Sequence, residues 1–198
     1  GGEMSTEPSN PPMSIRSYDQ ILIGGQWRDP AGATRIDVVS PHTEQIIAHA
    51  AAASVADVDA AVRAARTAFD TGPWPRLPLA DRLTAVQRLA AVYGTHLDEM
   101  ADLITAQMGS PAGFSRLGQA AGAASMMHLT MQTAQTFPWG QRRRGLLGEV
   151  HLRRQPMGVV GIIIPWNVPQ NLLMPKLIPA LLAGCTVVVK PAPETPLD

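Results

Sequence analysis

The sequence predicts an α/β fold: an incomplete parallel sheet with flanking helices, preceded by N-terminal β-hairpins and a β arm. Three observations carry this. The run MGVVGIII (157–164) is continuously apolar and largely β-branched, as a strand buried on both faces must be. Residues 168–183 read as a helix stopped by Gly184, and TVVV (186–189) reads as a second buried strand. Strand, helix and strand of these lengths make one βαβ unit, and such crossovers are right-handed in ~98% of cases. Upstream, strand-like segments around glycine and proline turns give way to apolar faces of helical period, so hairpins precede helices.

From the N-terminus, residues 1–17 are rich in Pro, Ser and Asn and are expected to be a disordered tail. YDQILIGGQWRDP (18–30) reads as two short strands around Gly24-Gly25, a favoured turn pair. IDVVSPHTEQIIAHAAAAS (36–54) reads as a strand, a polar turn near Pro41–Glu44 and a return strand. Ser54 followed by Asp57 forms a capping box. Val55, Val58, Val62, Ala65 and Phe69 then mark one helical face, ended by Gly72. After a Pro-rich turn, Leu83, Val86, Leu89, Ala90 and Tyr93 mark a second helix. Gly94 breaks or bends it, and Leu97, Met100, Leu103 and Ile104 resume the period. A fourth helix covers Phe114 to Gln135, with Met126, Met127 and Met131 as core fillers. In GEVHLRRQP (148–156), Val150, Leu152 and Arg154 alternate with His151 and Arg153, as in a partly exposed strand. It predicts an oligomerisation or bridging arm over 140–157, after hairpins and helices over 18–139 and before the βαβ unit of 158–198. Pro169 suits the first turn of the last helix, whereas Pro175 falls in its interior and predicts a kink.

Composition narrows the function classes. With 45% hydrophobic and 16% charged residues, the 198-residue chain is of ordinary globular type. Sixteen basic side chains balance sixteen acidic ones, so neither nucleic acid nor an anionic membrane is an expected partner. Arg142-Arg143-Arg144 reads as a solvated loop. Lys176, Pro175 and Pro179 argue against a membrane span over the apolar stretch 172–189. The five histidines show no metal-ligand spacing, and no metal is expected. Cys185 is the single cysteine, so no internal disulfide forms, which fits a cytoplasmic location. The chain starts Gly1-Gly2 and stops at Asp198, as a piece of something longer would.

The βαβ unit also predicts a site. Ligands of open parallel sheets bind outside the carboxyl ends of the strands. Asn167 follows the carboxyl end of the first strand and Lys190 that of the second, so both converge on one edge of the sheet. Asn is also a favoured helix cap. The pattern alone leaves cap and ligand site open.

PMGVVGIIIPWNVP, followed by KLIPALLAGCTVVVKPAPETPLD, resembles the NAD(P)-dependent aldehyde dehydrogenase superfamily. ILIGGQWRDP, VVSPHTEQIIAHAAAASVADVDAAVRAARTAFD and LPLADRLTAVQRLA resemble that family's N-terminal region, in the same order. The resemblance covers nearly all of the chain after Tyr18 and implies a Rossmann-like cofactor-binding domain. It implies oxidation of an aldehyde to a carboxylic acid with NAD or NADP: a cysteine thiolate adds to the aldehyde, hydride leaves, and water hydrolyses the thioester. Asn167 then donates its amide to the aldehyde oxygen, where a neutral preorganised donor stabilises the developing charge. The resemblance assigns Ile163, Ile164, Pro165, Trp166 and Asn167 to one part of the cofactor site, and Lys190, Pro191, Ala192, Pro193 and Glu194 to another. Where NAD-preferring members carry a ribose-binding Glu, this chain has Pro193, with Glu194 one residue later, so NAD and NADP both remain open. Lys176 matches a lysine that supports proton movement, while Cys185 has no catalytic role.

The nucleophilic Cys, the general-base Glu and the catalytic domain are not found in these residues, so this chain alone is expected to be inactive. The family likeness further implies an aldehyde substrate and a homodimer or homotetramer of the full-length protein. The alternatives are a truncated, non-catalytic assembly or regulatory subunit, and a CoA-acylating aldehyde dehydrogenase.

Overall fold

The structure, a computed structural model, describes residues 15–198. Strand β1 (Arg16–Tyr18) pairs in parallel with β5 (Ile46–Ala51), so the tail expected over 1–17 ends before Arg16. The remainder of that expectation, residues 1–14, lies outside the described residues. A three-residue strand carries too little pattern to read; the free edge of β5 makes it. Gly24 and Gly25 hold φ of 62° and 77°, the left-handed pair a type I′ turn needs, and they join β2 (Ile21–Ile23) to β3 (Gln26–Arg28). β4 (Arg35–Val39) pairs antiparallel with β5, giving the order β1-β5-β4.

Helix α1 (Val55–Asp70) opens with the expected capping box. The Asp57 carboxylate accepts from the Ser54 N–H at 2.8 Å, the Ser54 hydroxyl at 2.7 Å and the Ala31 N–H at 2.9 Å. The Ser54 N–H, then the Ala31 N–H and the Ser54 hydroxyl, hold its pKa below the ordinary carboxylate value. This anchoring turns the helix away from the expected orientation. Asp57 is buried, and Val55, Val58 and Val62 are exposed. The inward face is instead alanine-rich, and the Thr186 hydroxyl donates to the Ala65 carbonyl at 2.9 Å.

α2 (Leu79–Thr95) and α3 (Leu97–Met108) are separated by one non-helical residue, His96, two positions after Gly94. Gly109 ends α3 at φ 77°, and a Cβ there would stand 2.8 Å from the Pro41 ring. The expected fourth helix is a continuous helical stretch of three parts: α4 (Ala112–Phe114), a π-helical segment (Ser115–Ala120) and α5 (Ala121–Thr136). Met127 and Met131 are core residues, but Met126 is exposed.

The arm is a hairpin of β6 (Gly140–Gly145) and β7 (Gly148–Arg153), not a single strand. The arginine triplet, read as a loop from its charge, lies within β6, where backbone pairing is indifferent to exposed side chains. Leu146 and Leu147 at the tip are fully exposed.

β8 (Val159–Ile163) and β9 (Thr186–Lys190) pair in parallel, from Val159 against Thr186 to Ile163 against Lys190. Between them α6 (Pro169–Ala183) runs unbroken through Pro175 and Pro179 and closes on Gly184 at φ 93°. The core joins α2, α5 and α6 through Leu83, Val86, Met127, Met131, Met174, Ile178 and Leu182. Buried Arg82 closes the end of α6, its Nε donating to the Leu182 carbonyl at 2.9 Å. This cation suits the negative end of the helix. Among the described residues no helix is long and apolar enough to cross a membrane.

Candidate functional site

The carboxyl ends of β8 and β9 lie side by side. Ile163 stands opposite Lys190, and the Ile164 N–H donates to the Lys190 carbonyl at 3.2 Å, extending the pairing one step past the strand. Pro165 cannot continue this ladder, because it has no N–H. The chain therefore leaves the sheet, and Pro165, Trp166 and Asn167 are all exposed. The residue capping α6 is Val168, and no side chain makes a cap hydrogen bond there. Asn167 is thus not occupied as a cap, and among the described residues its amide makes no hydrogen bond.

The ladder brings Ile163, Ile164 and Lys190 together, and the residues next in the chain follow from it. Ile163 is 76% and Trp166 51% exposed, offering apolar surface beside the strand ends. Ile164 and Ala192 are buried. The Lys190 ammonium is exposed and donates to the Pro191 carbonyl at 2.9 Å. Pro193 and Glu194 are exposed on a turn closed by the Thr195 N–H donating to the Ala192 carbonyl at 3.2 Å. Lys176 stands apart along α6, its ammonium donating to the Leu172 carbonyl at 2.9 Å. No hydrogen bond joins it to Asn167. Two surface hollows, one beside Asp29–Arg35 and one on the arm, include none of these residues.

Two partners of this edge were not found by sequence reasoning. Gln107 of α3 accepts from the Leu197 N–H at 3.0 Å and donates to the Asp198 carboxylate, tying down the segment beyond Glu194. Burial pushes the Asp198 carboxyl up to about 6, while bonds from Gln170 and Gln107 pull the other way. Asn171, on the first turn of α6, donates from Nδ2 to the Gly118 carbonyl of the π-helical segment at 2.8 Å. The visible signal was the pair of amides Gln170-Asn171 in a helix whose one other polar side chain is Lys176. Cys185 is buried at the opposite end of β9, about 16 Å from Lys190 at the usual rise per strand residue. Among the described residues no group of three or more His, Cys, Asp or Glu is placed to hold a metal.

Comparison with known proteins agrees with this architecture. The chain is 36% identical over 180 residues to aldehyde dehydrogenase 1 of Tanacetum cinerariifolium, covering 91% of this chain and 36% of that protein. It is 38% identical over 184 residues to the 3-succinoylsemialdehyde-pyridine dehydrogenase of a Pseudomonas species, covering 93% and 38%. The crystal structure of a Mycobacterium tuberculosis aldehyde dehydrogenase complexed with NAD+ superposes with a TM-score of 0.89 at 40% identity, over 93% of this chain and 38% of that one. The chain therefore spans little more than a third of the length of these relatives. The fold is that of the corresponding part of these enzymes, and the model of the aldehyde dehydrogenase family matches residues 27–198. The chain belongs to the aldehyde dehydrogenase family.

Proposed function

We propose that this chain supplies the cofactor-binding edge and one oxyanion donor of an enzyme that oxidises an aldehyde to a carboxylic acid with NAD or NADP. The observation that carries it is the exposed amide of Asn167, without a hydrogen bond among the described residues, three residues past the point where the chain leaves its pairing with Lys190 at the ends of two parallel strands. The residues fit a dinucleotide. An exposed ammonium can hydrogen-bond a ribose or meet a phosphate, and the exposed faces of Ile163 and Trp166 suit flat apolar rings. The nicotinamide, when bound, supplies the hydride acceptor.

This chain's part is electrostatic. When a thiolate adds to an aldehyde, the carbonyl oxygen becomes an oxyanion, and the Asn167 Nδ2–H₂ donates to it without giving up a proton. Pro165 and the start of α6 bracket the loop, which limits the reorganisation needed as charge develops. The only thiol here, Cys185, is buried at the wrong end of β9, so the attacking thiolate comes from polypeptide outside these 198 residues. Overall, aldehyde, NAD(P)+ and water give acid, NAD(P)H and a proton. The hairpin arm, with Leu146, Leu147, Val150 and Leu152 exposed, joins subunits into a homodimer or homotetramer.

Two measurements test this on the polypeptide as encoded. Aldehyde should drive NAD(P)H formation, read at 340 nm, without added CoA. Formation only with CoA would make the reaction acyl transfer, and no formation with any aldehyde would leave a non-catalytic assembly subunit. Replacing both Leu146 and Leu147 by Asp should lower the molar mass measured by light scattering, and an unchanged mass would remove the arm from assembly.

A further inference from the structure

Asn171 lies four residues beyond Asn167: the Leu172 N–H closes the first helical bond to the Val168 carbonyl at 3.1 Å, so Asn167 stands just before the helix and Asn171 in its first turn. The Asn171 side chain is half-buried and fixed, because Nδ2 donates to the Gly118 carbonyl at 2.8 Å. That bond settles the orientation of the amide and leaves Oδ1 as its polar atom nearer to Gly122. A Cβ on Gly122 would stand 3.0 Å from Oδ1, so the glycine leaves a notch in front of this oxygen. Oδ1 takes no hydrogen bond among the described residues, and it is not one of the buried atoms without a partner, so solvent reaches it. A pinned acceptor and an opening beside it, four residues along the chain from Asn167, together define a polar subsite.

We propose that Asn171 determines specificity: its Oδ1 accepts a hydrogen bond from a hydroxyl carried a few atoms from the aldehyde carbon, so the substrates are hydroxyaldehydes rather than alkanals. This rests on the reading of Asn167 as the oxyanion donor. Gly122 makes room for the hydroxyl, and the Gly118 carbonyl prevents the amide from flipping to present its N–H₂ instead. A pocket that hydrogen-bonds a substrate hydroxyl discriminates against the analogue lacking it, because the acceptor is then left unpaired.

The test compares 3-hydroxypropanal with butanal, equal in size, on the polypeptide as encoded. The wild type should favour the hydroxyaldehyde in kcat/KM, and Asn171→Leu should reduce that preference by about 10-fold, mainly through KM. Gly122→Ala fills the notch, with its Cβ 3.0 Å from Oδ1 and 3.5 Å from Nδ2, so the amide gives by a few tenths of an ångström; the same loss is expected there even if Asn171→Leu fails to fold. A preference unchanged in either folded variant overturns the proposal while leaving the activity intact. A wild type that prefers butanal, or that oxidises other aldehydes but neither of these, also overturns the proposal, and one that oxidises no aldehyde overturns the reading on which it rests.

Discussion

Asn167→Ala should lower kcat by ~10²–10³ while dinucleotide binding persists. The expectation follows from where the residue sits. Its amide is exposed at the end of β8, makes no hydrogen bond among the described residues, and is not the cap of α6. Removing it therefore disturbs no structural bond, and the loss appears in the step where the carbonyl oxygen gains charge. Asn167→Asp should be at least as damaging, because a carboxylate would face the developing oxyanion with like charge. Steady-state kinetics alongside cofactor titration separates the two effects. A wild-type kcat in the alanine variant would remove Asn167 from catalysis.

Ile178→Ala should cost ~2–5 kcal/mol of folding stability. Ile178 is wholly buried where α2, α5 and α6 meet, so the cavity would be lined by all three helices. The same residue type gives a control: Ile163 is 76% exposed, and Ile163→Ala should shift stability by about 0.5 kcal/mol or less. Denaturant unfolding of the two variants makes the comparison. Equal midpoints would mean that this three-helix cluster is not the principal core. Because α6 links Asn167 to β9, the Ile178 variant should also raise KM for the cofactor before the protein unfolds.

The parts of the fold legible in the sequence were those set by local chemistry. Gly24-Gly25 dictate their turn through positive φ, Ser54 and Asp57 define a helix start, and the apolar runs at 157–164 and 186–189 frame the crossover. What escaped depended on partners distant in the chain. The valine face of α1 has a correct helical period, but the anchoring of Asp57 to Ala31 turns that face to solvent. β1 exists because β5 offers a free edge, and β6 because β7 pairs with it, whatever the arginines prefer. Topology alone was enough to put Lys190 at the end of β9 and Asn167 just past the end of β8. It could not place Asn171, since its role depends on a carbonyl in the π-helical segment, which no periodicity announces.

The parallel pairing of β8 with β9 also bears on the order of folding. Every rung of that ladder joins residues separated by the whole of α6, so the loop between them must close before any rung is gained, which places the ladder late. The rung Ile163–Lys190, with the Ile164 bond beyond it, lies at the open end of the ladder, the natural place for fraying. A ligand held by both strand ends would act as a clasp there, tying the last contacts to form and resisting the first to open. Its free concentration would then govern how long the molecule survives heat or proteases, by mass action on the native state.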